Sequence, residues 1–380
     1  MKKGWTTVPL GELCDVLDNK RKPITKRDRE TGEYPYYGAT GIKDYVSGYI
    51  FDEPLVLVGE DGAKWASGDQ TAFAIEGKCW VNNHAHVLRP HRTRLIDNWL
   101  IHFFFYSDLS EFVSGLTVPK LNQGNLREIL IPLPPLAEQQ RIVGLLDEAF
   151  EGLATAKANA EKNLQNARAL FESHLQSVFT QRGPGWKQKT LEEIAMIFGR
   201  GKSKHRPRNE PKLYGGKYPF IQTGDIRNAD HFITEYSQTY SELGLAQSKL
   251  WPKGTICITI AANIAETAIL GFDACFPDSV IGVVANPKEA EVGFIEYLLQ
   301  SFKARIQALG KGSAQANINM GTFENERFPF PPVAEQRQIV EKLDDLSEET
   351  QRLARLYEQK LAALEALKKS LLHQAFTGEL

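Results

Sequence analysis

Cysteine is scarce in this sequence. Four residues (Cys14, Cys79, Cys257, Cys275) are spread over 380 positions with no CxxC pair, so the pattern gives neither a zinc framework nor a disulfide scaffold. A reduced, cytoplasmic setting is expected. Long apolar runs are also missing. The most apolar stretch, Thr255 to Phe272, carries Asn263 and Glu266 and is too short and polar to span a bilayer. The opening MKKGWTTVPL has two lysines but no apolar region behind them, so no signal peptide is expected. Nor is there an excess of one charge: 45 Lys+Arg face 47 Asp+Glu, a formal net charge of -2. At the level of totals, that balance disfavours a nucleic-acid partner. A hydrophobic fraction of 42% with 10% aromatics instead describes an ordered chain of two or three globular domains.

Catalytic signatures are missing too. Gly201-Lys202-Ser203 resembles the end of a phosphate-binding loop, but Met196 stands where the first glycine is required. There is no GxGxxG after a strand and no GxSxG elbow. Asn286-Pro287-Lys288 departs from the Asn/Asp-Pro-Pro-aromatic tetrapeptide of adenine methyltransferases. His84 and His86 alternate as strand neighbours would, but no third ligand stands at a metal-binding spacing, so a structural role is favoured. The sequence reads as a recognition protein that contains neither catalytic residues nor metal ligands.

What is present is an internal repeat. Pro134-Pro135-Leu136-Ala137-Glu138-Gln139 returns as Pro331-Pro332-Val333-Ala334-Glu335-Gln336, an offset of 197 residues. The same offset lays Leu121-Asn122-Gln123-Gly124 on Ile318-Asn319-Met320-Gly321. Nearer the start, Gly4-Trp5 matches Gly185-Trp186 at an offset of 181, so the second copy is about 16 residues longer in its middle. Each copy is a strand-rich globular part followed by a proline-free helical segment. The expected divisions are a first globular domain over 1–133, a first long helix over 134–182, a second globular domain over 183–330 and a second long helix over 331–380.

The helical segments begin at Pro-Pro, which suits a helix start, and run to about Thr180 and Thr377. In the second, Ile339, Leu343, Leu346, Leu353, Leu361, Leu364, Leu367 and Leu371 form a coiled-coil-like stripe with gaps at Thr350 and Tyr357. In the first, Ala149, Ala156, Ala160 and Ala167 fall where the second has Leu346, Leu353, Tyr357 and Leu364. A small-residue stripe against a large one predicts a close-packed pair of rods, each roughly 65 Å long at 1.5 Å per residue. The fold class expected is α+β: two β-rich domains in tandem repeat, separated by two long helices packed together as a coiled coil.

Local counting alters the electrostatic picture. Residues 20–29 hold Lys20, Arg21, Lys22, Lys26, Arg27 and Arg29 against one acid, Asp28; residues 200–208 hold Arg200, Lys202, Lys204, His205, Arg206 and Arg208 with no acid. An offset of 181 lays Arg21 on Lys202 and Arg27 on Arg208. Basic loops at matched points of a repeat suit phosphate contact, because Lys and Arg displace condensed counterions from a polyanion. Tyr37, Thr40 and Lys43 follow the first loop, and Gln222, Thr223, Asp225 and Arg227 the second; they are candidate base-readers. The polar segments Thr117 to Gln123 and Ser313 to Asn319 are either further DNA-facing loops or plain hinges.

This plan resembles the DNA specificity (S) subunits of type I restriction-modification enzymes, in which two variable recognition domains are each followed by a helix introduced by Pro-Pro-x-x-Glu-Gln. The resemblance covers essentially the whole chain. It implies a non-catalytic subunit that reads a bipartite double-stranded DNA target, with two β-rich target-recognition domains separated by long helices packed as an antiparallel coiled coil. It also implies that the helices dock two DNA methyltransferase (modification) subunits and restriction/translocase subunits, and act as a ruler for the unspecified gap. S-adenosylmethionine, ATP and Mg are then expected on those partner subunits, with no cofactor in this chain and no membrane association. Two other readings stay open: a coiled-coil scaffold without sequence-specific binding, and a self-sufficient nuclease.

Overall fold

Leu55–Gly59 and Ile256–Thr259 are short apolar runs buried on both sides, which makes them central strands of their sheets. A computed structural model describes residues 4–115, 117–205, 207–261, 263–310, 318 and 320–380. The chain divides into two compact units, Met1–Lys162 with Tyr357–Leu380, and Asn163–Leu356. The division runs through both long helices, so each unit contains part of each.

In the first unit, one sheet has the order Cys14–Val16, Ala85–Pro90, Leu55–Gly59, Ala72–Ile75. A second has the order Gly41–Val46, Thr31–Gly38, Lys78–Val81, Phe51–Asp52, with one parallel pairing that sets Tyr36 opposite Trp80. The second unit follows the same plan. Ala195–Arg200, Val280–Ala285, Ile256–Thr259 and Thr267–Leu270 form one sheet, extended by Phe232–Ile233. Gln238–Tyr240, Tyr214–Phe220, Ala274–Cys275 and Leu250–Trp251 form the other, again with one parallel pairing, Phe220 opposite Cys275. In both units the strand just before Pro-Pro pairs with the first strand: Leu130–Leu133 with Thr6–Pro9, and Phe328–Phe330 with Lys187–Lys189. The duplication therefore extends strand by strand through domains whose sequences have diverged.

The extra length of the second copy has a definite location. In the first unit Thr31–Gly38 turns into Gly41–Val46 through Ala39 and Thr40, helped by Gly41 at φ +112°. In the second, residues 221–237 separate the equivalent strands and contain a short helix, Thr223–Asn228, and the added edge strand Phe232–Ile233.

Helices Asp97–Tyr106 and Val292–Gly310 cover the first-named sheet of each unit and connect it to the long helices Leu136–Thr180 and Val333–Thr377. In the first unit Trp99, Phe103 and Phe104 share a core with Ile142, Val143, Leu146, Leu372 and Phe376. In the second, Phe294, Tyr297 and Leu298 share one with Leu175, Phe179 and Leu343.

Within each unit the long helices are antiparallel. Arg141 donates to the Leu380 carbonyl at 2.8 Å, while Lys157, further along, meets Glu365 at 2.6 Å. In the second unit Phe179 and Leu343 share a core, and Ala167 and Phe171 line one groove with Thr350 and Ala354. The alanine stripe is the packed face, with Ala160 and Ala167 both buried. The leucine stripe needs correcting at three positions. Thr350, read as a gap, is buried and returns its hydroxyl to the Leu346 carbonyl at 2.8 Å, while Tyr357 is half-buried; Leu367 is 48% exposed. The seam keeps its three-four spacing by passing through Thr350, Ala354, Tyr357 and Leu361, and that register turns Leu367 outward.

Candidate nucleic-acid interface

In the first unit several loops converge at one end of the two sheets. Gly59 approaches Ala39 so closely that a Cβ on it would lie 3.3 Å from the Ala39 carbonyl. Asn82 donates its backbone N–H to Tyr37 O at 3.0 Å, Glu60 to His84 O at 2.9 Å and Leu121 to Glu60 O at 2.8 Å. The basic loop is tied to the same end: Lys22 donates its backbone N–H to Val81 O, and the Trp80 indole donates to Lys22 O at 2.6 Å. Lys20, Lys22, Lys26 and Arg27 are exposed, as are Thr40 and Lys43, whose ammonium donates to the Thr40 hydroxyl at 2.8 Å. Arg27 is 87% exposed and meets Asp28 at 3.3 Å.

Arg21 is different. Its guanidinium turns inward, donates to Glu60 and to the Ala85 carbonyl at 2.8 Å, and lies 3.3 Å from Asp18. Lys120 adds a second cation, 2.7 Å from Glu60. His86 is fully buried, with Nδ1 2.6 Å from Asp18 and Nε2 donating to the Leu121 carbonyl at 2.7 Å. Burial alone would raise the Asp18 carboxyl, but His86, the Val87 backbone N–H and Arg21 together hold it below the ordinary aspartate value. Asp18, Glu60 and His86 have ligand atoms within 4.8 Å of one another, the spacing of a metal site. Arg21 and Lys120 already supply the positive charge there, so the donor set fits a buried ion network better than a cation site. Arg21, expected at a phosphate, is an internal strut that ties the basic loop to Glu60 and to the Ala85 carbonyl.

In the second unit the basic loop passes over Phe276 and Pro277 at Gly201, where a Cβ would lie 2.3 Å from the Phe276 carbonyl, so no other residue fits. Lys202 and Lys204 are exposed. Ser248 donates to Lys202 O at 2.8 Å, and the His205 backbone N–H donates to the Gln247 side chain at 3.0 Å. That contact brings in Lys249, which the sequence reading missed because 47 positions separate it from Lys202. Partial burial, then repulsion from Lys202, hold the Lys249 ammonium below its ordinary value, and it lies over the Trp251 ring at 3.6 Å. Arg208 is held by both oxygens of Asp278 at 2.8 and 2.9 Å, and Arg200 donates to the Asp278 carbonyl. Arg206 lies outside the described residues, as does the segment from Ser313 to Asn319 apart from Ile318.

The candidate base-readers divide in the same way. Tyr37 is half-buried against Phe73, and burial pushes its phenol up. Gln222 and Asp225 cap the helix Thr223–Asn228 by a reciprocal box in which Asp225 accepts the Gln222 N–H at 2.8 Å. Asp225 also accepts from Ser237 at 3.2 Å, so its side chain is occupied in shaping the 221–237 segment. Gln222, 16 positions from Gln238, donates to its side chain and remains exposed beside the half-buried Thr223; Arg227 is exposed, with Asn263 at 3.5 Å.

Comparison with known proteins agrees with this architecture. The sequence profile described as the type I restriction modification DNA specificity domain matches residues 2–164 and again 184–365. A type I restriction enzyme specificity subunit of Haemophilus influenzae is 28% identical over 349 residues, covering 88% of this chain and 86% of that protein. The EcoKI specificity subunit of Escherichia coli K12 is 22% identical over 358 residues, 87% of this chain and 75% of that one. Among solved structures, a chain from a study of assembly and conformational transition of the type I restriction-modification system superposes with a TM-score of 0.76 at 20% identity, covering 100% of this chain and 99% of that one. The HsdS subunit of Thermoanaerobacter tengcongensis gives 0.64 at 21% identity, over 100% and 98%. No helix among the described residues is long and apolar enough to cross a membrane.

Proposed function

Because the chain belongs to the type I restriction-modification DNA specificity family, we propose that its two recognition domains each read one half of a bipartite duplex target. As a specificity subunit it carries no catalytic site of its own. The observation that supports the reading most directly is the repetition of an exposed basic loop beside two domains of the same strand order. Lys20, Lys22, Lys26 and Arg27 on one domain, and Lys202, Lys204 and Lys249 on the other, would contact backbone phosphates and make affinity fall steeply with salt. Thr40, Lys43, Gln222, Thr223 and Arg227 would reach base edges.

The long helices would act as the spacer and would dock two methyltransferase subunits, which bring S-adenosylmethionine. Restriction subunits would bring ATP hydrolysis with Mg. Methylation of adenine requires a base turned out of the stack, so this chain would orient a catalyst on DNA without performing the chemistry. Such a complex works on cytoplasmic DNA. Selection of duplexes from a random library by the full chain with its methyltransferase subunits tests the reading. The expected product is one motif of two specified halves with a fixed gap; a single undivided motif, or none, would overturn it.

A further inference from the structure

The residue that ends each Pro-Pro-x-x-Glu-Gln motif has a role that sequence alone does not reveal. Gln139 is fully buried: its Oε1 accepts the Ile96 N–H at 3.0 Å, and its Nε2 donates to the carbonyls of Arg94 and Pro134, both at 2.8 Å. Gln336 is fully buried as well. Its Oε1 accepts the Glu291 N–H at 2.9 Å, and its Nε2 donates to Glu289 O at 3.3 Å and Pro331 O at 2.8 Å. In each unit one amide thus joins three segments: the chain leading into the domain's own helix, the Pro-Pro turn, and the first turn of the long helix.

A second contact recurs eight residues further along, about 12 Å up the helix axis. Asp147 accepts from His102 at 2.8 Å and from Asn98 at 3.3 Å; Asp344 accepts from the Tyr297 hydroxyl at 2.7 Å. The donors differ between the copies, but the carboxylates keep the offset of 197 residues. Between the two contacts Ile142, Val143 and Leu146 pack into one core, and Ile339, Val340 and Leu343 into the other. The approach is close: a Cβ at Gly293 would lie 3.0 Å from Val340. A single contact point would leave a domain free to pivot on its helix, whereas two points along the axis fix its direction. Apolar packing between them resists sliding but is not directional.

We infer that Gln139 with Asp147, and Gln336 with Asp344, are positioning residues that fix the direction of each recognition domain on its long helix and thereby set which gap between half-sites the protein accepts. This rests on the bipartite reading above. It assigns to the clamps a part of gap selection that helix length alone would not supply.

The test uses the full chain with its methyltransferase subunits and duplexes carrying both selected half-sites at the selected gap and at gaps one and two base pairs shorter or longer. Gln139→Ala and Gln336→Ala are expected to keep the base preference of both halves, while the preference for the wild-type gap over its neighbours falls roughly tenfold, the scale of losing a buried amide's hydrogen bonds. Asp147→Ala and Asp344→Ala, at more exposed positions, give the same broadening to a smaller degree and carry the test if a glutamine variant does not fold. Folded variants that lose thermal stability yet keep the wild-type gap preference would overturn the inference and reduce the clamps to scaffolding. A wild-type protein that selects no two-part motif would instead sink the bipartite reading itself.

Discussion

Gln139 and Gln336, 197 positions apart in the chain, make the same three hydrogen bonds in two different units: one accepted from a backbone N–H and two donated to carbonyls. Removing either amide leaves a partly buried N–H, one partly buried carbonyl and one buried proline carbonyl short of a partner. Each alanine substitution should therefore cost about 1–3 kcal/mol of stability. Denaturant titration of the two variants should give similar losses; a loss below about 0.5 kcal/mol in both would mean that water replaces the side chain.

Arg21 and Lys22 are neighbours with opposite roles. The Arg21 side chain is only 12% exposed and faces Asp18 and Glu60, so Arg21→Ala leaves two buried carboxylates with less compensation and should destabilise by roughly 3–5 kcal/mol. Lys22→Ala should leave stability nearly unchanged and reduce the salt slope of DNA binding by about one unit. The two readouts separate cleanly: thermal melting moves with Arg21, and the slope moves with Lys22.

In the second unit, the paired change Lys202→Ala with Lys204→Ala should flatten the salt dependence by roughly two units of slope. Arg208→Ala should have a smaller effect on slope, because its guanidinium is already neutralised by Asp278. A larger effect from Arg208 than from the lysine pair would show that Asp278 releases it on binding DNA.

His231 gives the second unit a dependence on pH. It lies 2.7 Å from the buried Glu296, stacks on Tyr297 at 4.5 Å, and faces the charges of Asp344 and Asp230. Burial alone would lower its pKa, but the Glu296 hydrogen bond and those three negative charges raise it above the ordinary 6.5. The charged form therefore favours the fold. Its contribution is complete below the unfolded value and fades as pH rises through the higher folded value. Melting temperature followed from about pH 6 to pH 9 should fall for the wild type, and His231→Asn should remove that part of the slope. A fall of equal steepness in the variant would assign it to other groups.

The features legible in the sequence are those set by short-range pattern. Proline starts and uninterrupted apolar spacing located helices that the structure bounds at Leu136–Thr180 and Val333–Thr377. The seam is less legible at Thr350 and Tyr357, where a polar residue interrupts the leucine spacing without leaving the packed face. A threonine that returns its hydroxyl to the backbone buries like an apolar residue.

The candidate site was less legible, because the side chains that redirect its residues are distant in sequence. Glu60 stands 39 positions from Arg21, and Asp278 stands 70 from Arg208. A basic loop can be recognised from its own composition. Which of its cations point outward depends on acids supplied by other strands, and no local spacing encodes that.

The central claim, that this chain directs a methyltransferase to one two-part DNA sequence, is tested most directly by mapping methylated adenines across a genome with and without it. Loss of methylation at one bipartite motif of fixed gap, with every other modified motif unchanged, is the predicted result. An unchanged methylation map would contradict the account.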